Sequence, residues 1–221
     1  MAIADAISRV QQFKSHSLTE TIAAAESQAR GAGAVGVVSI NRSFGVSPDL
    51  LIAAAEVKRA SAQIDVIIHA IGILYALPHM LREEEVVESL SLGAGSAGSD
   101  FDLVTSRCVA EFKFIHWQER GNAVRNKTLF QDYFRLARED IRKEKYLYLL
   151  ETDIPLRFLQ GGRDPLKVLD RNKRLALDFT ARYGRTYRSV AEYYEAHQEE
   201  VHIVNLTEMV PGFDDFMAIS R

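Results

Sequence analysis

Three residues have types and spacing that could do chemistry: Asp102, Glu111 and Lys113. They lie in two apolar runs, Phe101-Asp102-Leu103-Val104 and Val109-Ala110-Glu111-Phe112-Lys113-Phe114, joined by a tight turn. Side chains alternate faces along a strand, so Glu111 and Lys113 share one face and Ala110, Phe112 and Phe114 the other. A two-residue turn at Ser106-Arg107 sets Asp102 directly opposite Glu111, with Cβ atoms about 5 Å apart. A four-residue turn keeps that register. A three-residue turn puts the carboxylates on opposite faces unless a bulge corrects it. Adjacent carboxylates repel unless a proton or a cation lies between them. Mg²⁺ or Mn²⁺ takes a few carboxylate oxygens and keeps several waters. Such a water, acidified by the metal, can attack phosphorus. Lys113 could hold that water or a phosphoryl oxygen. The chemistry implied is metal-assisted phosphodiester hydrolysis. A bare E-x-K on a strand is ordinarily a solvated ion pair. Here its apolar neighbours Val109, Ala110, Phe112, Phe114 and Ile115 mark an interior strand instead.

The elements that must position these groups follow from periodicity. Residues 4–30 read as an amphipathic helix ended by Gly31 and Gly33, and the β-branched run 34–40 as a strand. Ser47-Pro48-Asp49 starts a helical stretch that reaches Met80, with a break near 60–63. Residues 86–92 read as a strand, 93–98 as a flexible connector, and 100–105 and 109–117 as two further strands. Residues 126–143 form a strong helix, with Phe130, Phe134, Ala137 and Ile141 recurring at helical spacing. A β-like run at 146–150, helices near 165–182 and 187–198, and a last strand at 201–206 complete the chain. The order argues for an α/β or α+β sandwich. Its sheet is mixed, because two strands are joined by only a few residues.

An Asp on one strand, E-x-K on the next and a helix directly after resemble the PD-(D/E)XK nuclease superfamily. That resemblance implies a restriction-endonuclease-like core, a mixed central sheet flanked by helices, over residues 62–150. Residues 1–61 would be an N-terminal extension and 151–221 a helical C-terminal one, all in one compact domain. It places Asp102, Glu111 and the backbone carbonyl of Phe112 on Mg²⁺ or Mn²⁺, with Lys113 beside the attacking water. Gln131 matches the polar residue many members carry on the following helix, with Lys127 one turn earlier. Asp100 is a secondary candidate for the Asp102 role. Glu84, Glu85 and Glu88 are candidates for the acid many members place before the sheet. Phe101 stands where the motif has Pro. Arg125, Lys127, Arg135 and Arg138 could contact phosphates. The implied partner is nucleic acid, DNA ahead of RNA, and cutting both strands would call for two sites and so a homodimer. Some members of the superfamily are scaffolds without catalysis, which leaves a second reading: an inactive nuclease-like protein binding nucleic acid or a protein partner.

The 221 residues are 47% hydrophobic and 26% charged, enough for a substantial core and incompatible with a disordered chain. One cysteine, Cys108, excludes an intramolecular disulfide and a cysteine zinc cage. The N-terminus lacks a signal-peptide pattern, and the apolar run 66–77 is too short for a bilayer, so a reducing cytoplasmic setting without membrane contact is expected. Residues 105–188 hold 19 of the 27 Lys and Arg but 11 of the 30 Asp and Glu, a local excess of 8 positive charges in a chain of net charge -3. Such an excess could face a polyanion. Two G-x-G-x-x-G patterns, Gly31-Gly33-Gly36 and Gly93-Gly95-Gly98, raise a dinucleotide-binding alternative. Neither sits in the required strand–loop–helix order.

Overall fold

The computed structural model describes residues 1–93, 100–119 and 121–220. It divides into two compact units, Met1–Asp65 and Val66–Arg221. The first is helical: α1 (Ile3–Lys14), α2 (Leu18–Ala29), α3 (Ala34–Ser43) and α4 (Pro48–Ser61). The expected single helix over 4–30 is two, because Ser15 turns to positive φ and Ser17 starts a new helix, its hydroxyl accepting the Glu20 N–H. The expected strand at 34–40 is α3. Its β-branched residues find no partner strand in this unit and lie on a helix beside α2, with Val35 and Val38 exposed, a case of context overriding propensity.

The second unit runs α5 (Ile64–Met80, begun just before the boundary), β1 (Val87–Leu90), β2 (Leu103–Thr105), β3 (Cys108–Lys113), α6 (Ala123–Arg138), β4 (Glu144–Leu149), α7 (Asp153–Leu159), α8 (Pro165–Val168), α9 (Lys173–Tyr183), α10 (Val190–His197), β5 (Val201–Asn205) and α11 (Phe213–Ser220). The five strands form one mixed sheet in sequence order. β1, β2 and β3 are antiparallel neighbours; β3, β4 and β5 are parallel. The fold is therefore α/β, with helices flanking the sheet as expected. Residues 151–221 are integral to it, since they supply β5 and much of the core.

Alternation along the strands builds two cores. Val109, Leu147, Leu149 and Val201 meet α6, α9 and α10 on one face. Leu103, Ala110, Phe112 and Tyr148 meet Ile73 and Ala76 of α5 and Phe213 of α11 on the other. By length and composition alone, the helical stretch Pro48–Met80 is apolar enough to cross a membrane, longer than the run 66–77 suggested. Its second half nonetheless sends Gly72, Ile73 and Ala76 into the core.

β2 and β3 pair Leu103 with Ala110 and Val104 with Val109, the register of a two-residue turn at Ser106-Arg107. Thr105 Oγ1 fastens that turn by accepting the Cys108 N–H at 2.8 Å. The hairpin is shorter than expected: Asp100 and Asp102 precede β2, and β3 stops at Lys113. Of the second glycine pattern, Gly95 and Gly98 lie outside the described residues, and the next described element is strand β2. The first pattern runs from the end of α2 into α3, with no strand before it.

Gly72 is where α5 meets the Phe114 ring, just past the end of β3. A Cβ there would lie 2.6 Å from the Phe114 ring, which is already packed against Phe112, Phe213 and His69. Gly72→Ala should cost about 1–3 kcal/mol of stability by overpacking. Gly162→Ala, where a Cβ meets nothing within 4 Å, should be near neutral. Urea midpoints at unchanged slope would show the difference.

Candidate functional site

The residues that could do chemistry meet where β3 and β4 end. Asp102 lies one residue before β2, opposite Glu111 by the hairpin register. Its Oδ2 accepts the Phe112 N–H at 3.0 Å and its Oδ1 is 3.3 Å from His69 Nε2 on α5. Asp102 thus caps the open side of β3 just past the last ladder pair. N–H and C=O of one strand residue point the same way, so the Phe112 carbonyl leaves the strand on the side occupied by Asp102.

Glu111 is 4% exposed and lies opposite Asp102 in the hairpin register. Its Oε1 lies 3.2 Å from Arg135 Nη1 yet accepts no aligned hydrogen bond. Burial, then the charges of Asp132 and Asp102, push the Glu111 carboxyl up to about 9. Burial also acts to raise Asp102, but the hydrogen bonds from His69 and the Phe112 N–H outweigh it and hold Asp102 below its ordinary value. Burial thus favours the uncharged form of Glu111 while its hydrogen bonds favour the charged form of Asp102, one of the two ways to keep adjacent carboxyls together.

Lys113 forms an ion pair with Asp132 of α6. Burial acts to lower the Lys113 amine, but Asp132 wins and raises it, so it stays charged. Arg135, one turn after Asp132, completes the cluster: Nη1 is 3.5 Å from Asp132 Oδ1, and Nη2 donates to the Asp100 carbonyl. Asp132 and His69 were not picked out by sequence reasoning. The available signals were an imidazole inside the apolar run of α5 and an acid flanked by Phe130, Tyr133 and Phe134.

Other sequence candidates lie elsewhere. Gln131 is half-buried and hydrogen-bonds to no described residue; its neighbour Asp132 takes the inward position. Asp100 joins through its backbone carbonyl, not its exposed carboxylate. Glu88 pairs with Lys143 at 2.6 Å, and Lys143 also holds the Thr105 carbonyl, at the turn end of the hairpin. Glu85 bonds Thr105 at that same end, and Glu84 is exposed. Lys127 is taken by Asp170 at 2.6 Å and Arg138 by Asp178, while Arg125 reaches only Asn122 at 3.4 Å. Of the four proposed phosphate contacts, Arg135 alone stands in the site. Trp117 is buried with its backbone N–H on Glu151. Burial raises the Cys108 thiol to about 11, leaving it an inert core group.

The oxygen donors Asp102, Glu111 and the Phe112 carbonyl suit a hard cation that keeps most of its waters. Glu111 Oε1, buried without a hydrogen bond, is the atom such an ion would satisfy. Among the described residues no three His, Cys, Asp or Glu side chains group closely enough to hold a metal ion by themselves. No family model matches the chain, and neither the curated proteins nor the solved structures contain a match.

A carboxyl raised in the folded state binds its proton more tightly folded than unfolded. Its contribution to stability is full below the ordinary glutamate value of about 4.3 and is lost as pH climbs toward 9. Asp102, lowered, acts only at the acid end, outside this window. Melting temperature in EDTA should therefore fall between pH 5 and 9 in the wild type, and Glu111→Gln should flatten that slope. An unchanged slope in the variant would remove Glu111 as its source.

Proposed function

We propose that this chain is a metal-dependent nuclease with a restriction-endonuclease-like core, and that Asp102, Glu111 and Lys113 are its catalytic residues. The observation that carries this reading is the buried Glu111 carboxyl, set opposite Asp102 by the hairpin register with one oxygen unmatched, on the same strand face as Lys113. The element order supports it: α5, the hairpin strands, the E-x-K strand, α6 and β4 follow the superfamily's sequence of parts.

In this reading Asp102, Glu111 and the Phe112 carbonyl hold Mg²⁺ or Mn²⁺, which supplies an acidified water and neutralises charge on the phosphodiester. Glu111 releases its proton to become a ligand. His69 braces Asp102 from α5. Lys113, aligned by Asp132, offers its ammonium to the water or to a non-bridging phosphate oxygen. Exposed cations Arg171, Lys173, Arg174, Arg185 and Arg188 supply charge for a polyanionic substrate. DNA is favoured over RNA, and a homodimer would cut both strands of a duplex.

The inactive-scaffold reading draws on one observation, the commitment of the Lys113 amine to Asp132. Incubation with single- and double-stranded DNA and with RNA in Mg²⁺ or Mn²⁺ separates the two. Cleavage that EDTA abolishes, and that Asp102→Ala, Glu111→Ala or Lys113→Ala reduces by at least about 100-fold, supports the enzyme. Binding without cleavage supports the scaffold.

Metal binding should also displace the Glu111 proton. Calorimetric titration with Mn²⁺ at pH 7 in buffers of different ionisation enthalpy should report release of about one proton, lost in Glu111→Gln. A titration with no proton release would contradict this role for Glu111.

A further inference from the structure

Among the described residues, Arg135 alone forms an ion pair with Glu111. Its guanidinium touches three acceptors from three parts of the unit: Glu111 on β3, Asp132 on its own helix and the Asp100 carbonyl ahead of β2. It also sits over the Phe101 ring at 5.7 Å. The contact with Glu111 is electrostatic rather than an aligned hydrogen bond, because Oε1 at 3.2 Å still accepts none. The side chain is 28% exposed, so the guanidinium rests beside Glu111 with a path to solvent.

We propose that Arg135 is an exchangeable cation, which rests against the Glu111 carboxyl in the metal-free protein, gives up that place to a divalent ion and then receives the scissile phosphate. This rests on the nuclease reading. The oxygen that Arg135 approaches is the one left for a metal, and a guanidinium and a dication repel each other across so short a distance. Displacement need not carry Arg135 far. Asp132, three residues earlier on the same helix, tethers it, and Phe101 supports its face. A guanidinium freed of one carboxylate presents two parallel N–H groups, the fork that matches a phosphate. Lys113 is less free for this exchange, since its amine is already paired with Asp132 and is nearly buried. Metal and phosphodiester should then bind with positive coupling, each favouring the arrangement the other needs.

The test uses Arg135→Gln and Arg135→Lys in the full chain, with melting curves in EDTA to verify folding. Mn²⁺ is titrated calorimetrically without nucleic acid, and a short labelled single-stranded DNA is titrated in Ca²⁺ and in EDTA. Removing the competing charge should tighten Mn²⁺ binding about tenfold in Arg135→Gln, with Arg135→Lys in between. The gain in DNA affinity that Ca²⁺ gives the wild type should shrink to little or nothing in Arg135→Gln. Mn²⁺ affinity equal to or weaker than wild type in folded Arg135→Gln overturns the exchange, as does an intact Ca²⁺-dependent gain in DNA binding. If Arg135→Gln does not fold in EDTA, Arg135→Lys decides: Mn²⁺ affinity above wild type supports the exchange, and affinity at or below it overturns it. A wild-type protein that binds no Mn²⁺ would instead defeat the metal-dependent reading beneath it.

Discussion

Two carboxyl groups buried side by side need a proton or a positive ion between them, and the second unit is organised around that requirement. Asp102 and Glu111 face each other because a two-residue turn fixes the hairpin register. The Phe112 N–H and His69 stabilise the charge on Asp102, and burial keeps the proton on Glu111. Lys113, Asp132 and Arg135 surround the pair with alternating charge. Removing one member of such a cluster strands its partner as an uncompensated buried charge.

Helix α6 lets the cluster exist. It is covered by the sheet on one side and by the C-terminal helices on the other. Phe130 and Phe134 interlock with Phe179 and Tyr193 in a set of edge-to-face and tilted rings. Such pairs contribute about 0.5–1.5 kcal/mol each beyond their buried area. This anchoring sets the rotation of the helix, and the rotation aims Asp132 and Arg135 at β3. Mobile charged side chains are thereby mounted on a rigid support.

Local rules made the sheet half of the site legible. Strand alternation and turn length were enough to bring Asp102 opposite Glu111 and to put Lys113 on the same face. What failed has a common physical cause. The spacing of Phe130, Phe134, Ala137 and Ile141 shows one apolar stripe on the helix following β3. A helix covered on two sides has no single stripe, so that spacing does not reveal the burial of Asp132. His69 was invisible for a related reason, because its partner lies far along the chain and only the packing of α5 unites them. Residues 34–40 misled through composition: β-branched residues favour strands only where a sheet can receive them. The acids before the sheet stand elsewhere, since the antiparallel pairing of β1 with β2 sets Glu85 and Glu88 beside the turn end of the hairpin.

The last strand has a bearing on what counts as the minimal protein. β5 hydrogen-bonds along the whole usable length of β4. Cutting the chain after the six-element core at residue 150 would strip β4 of that neighbour, leaving a row of unpaired peptide N–H and C=O groups at the sheet's border. Such borders recruit strands from other molecules. The C-terminal seventy or so residues therefore cover that border, and any excision of the part that carries Asp102 and Glu111 has to carry them along.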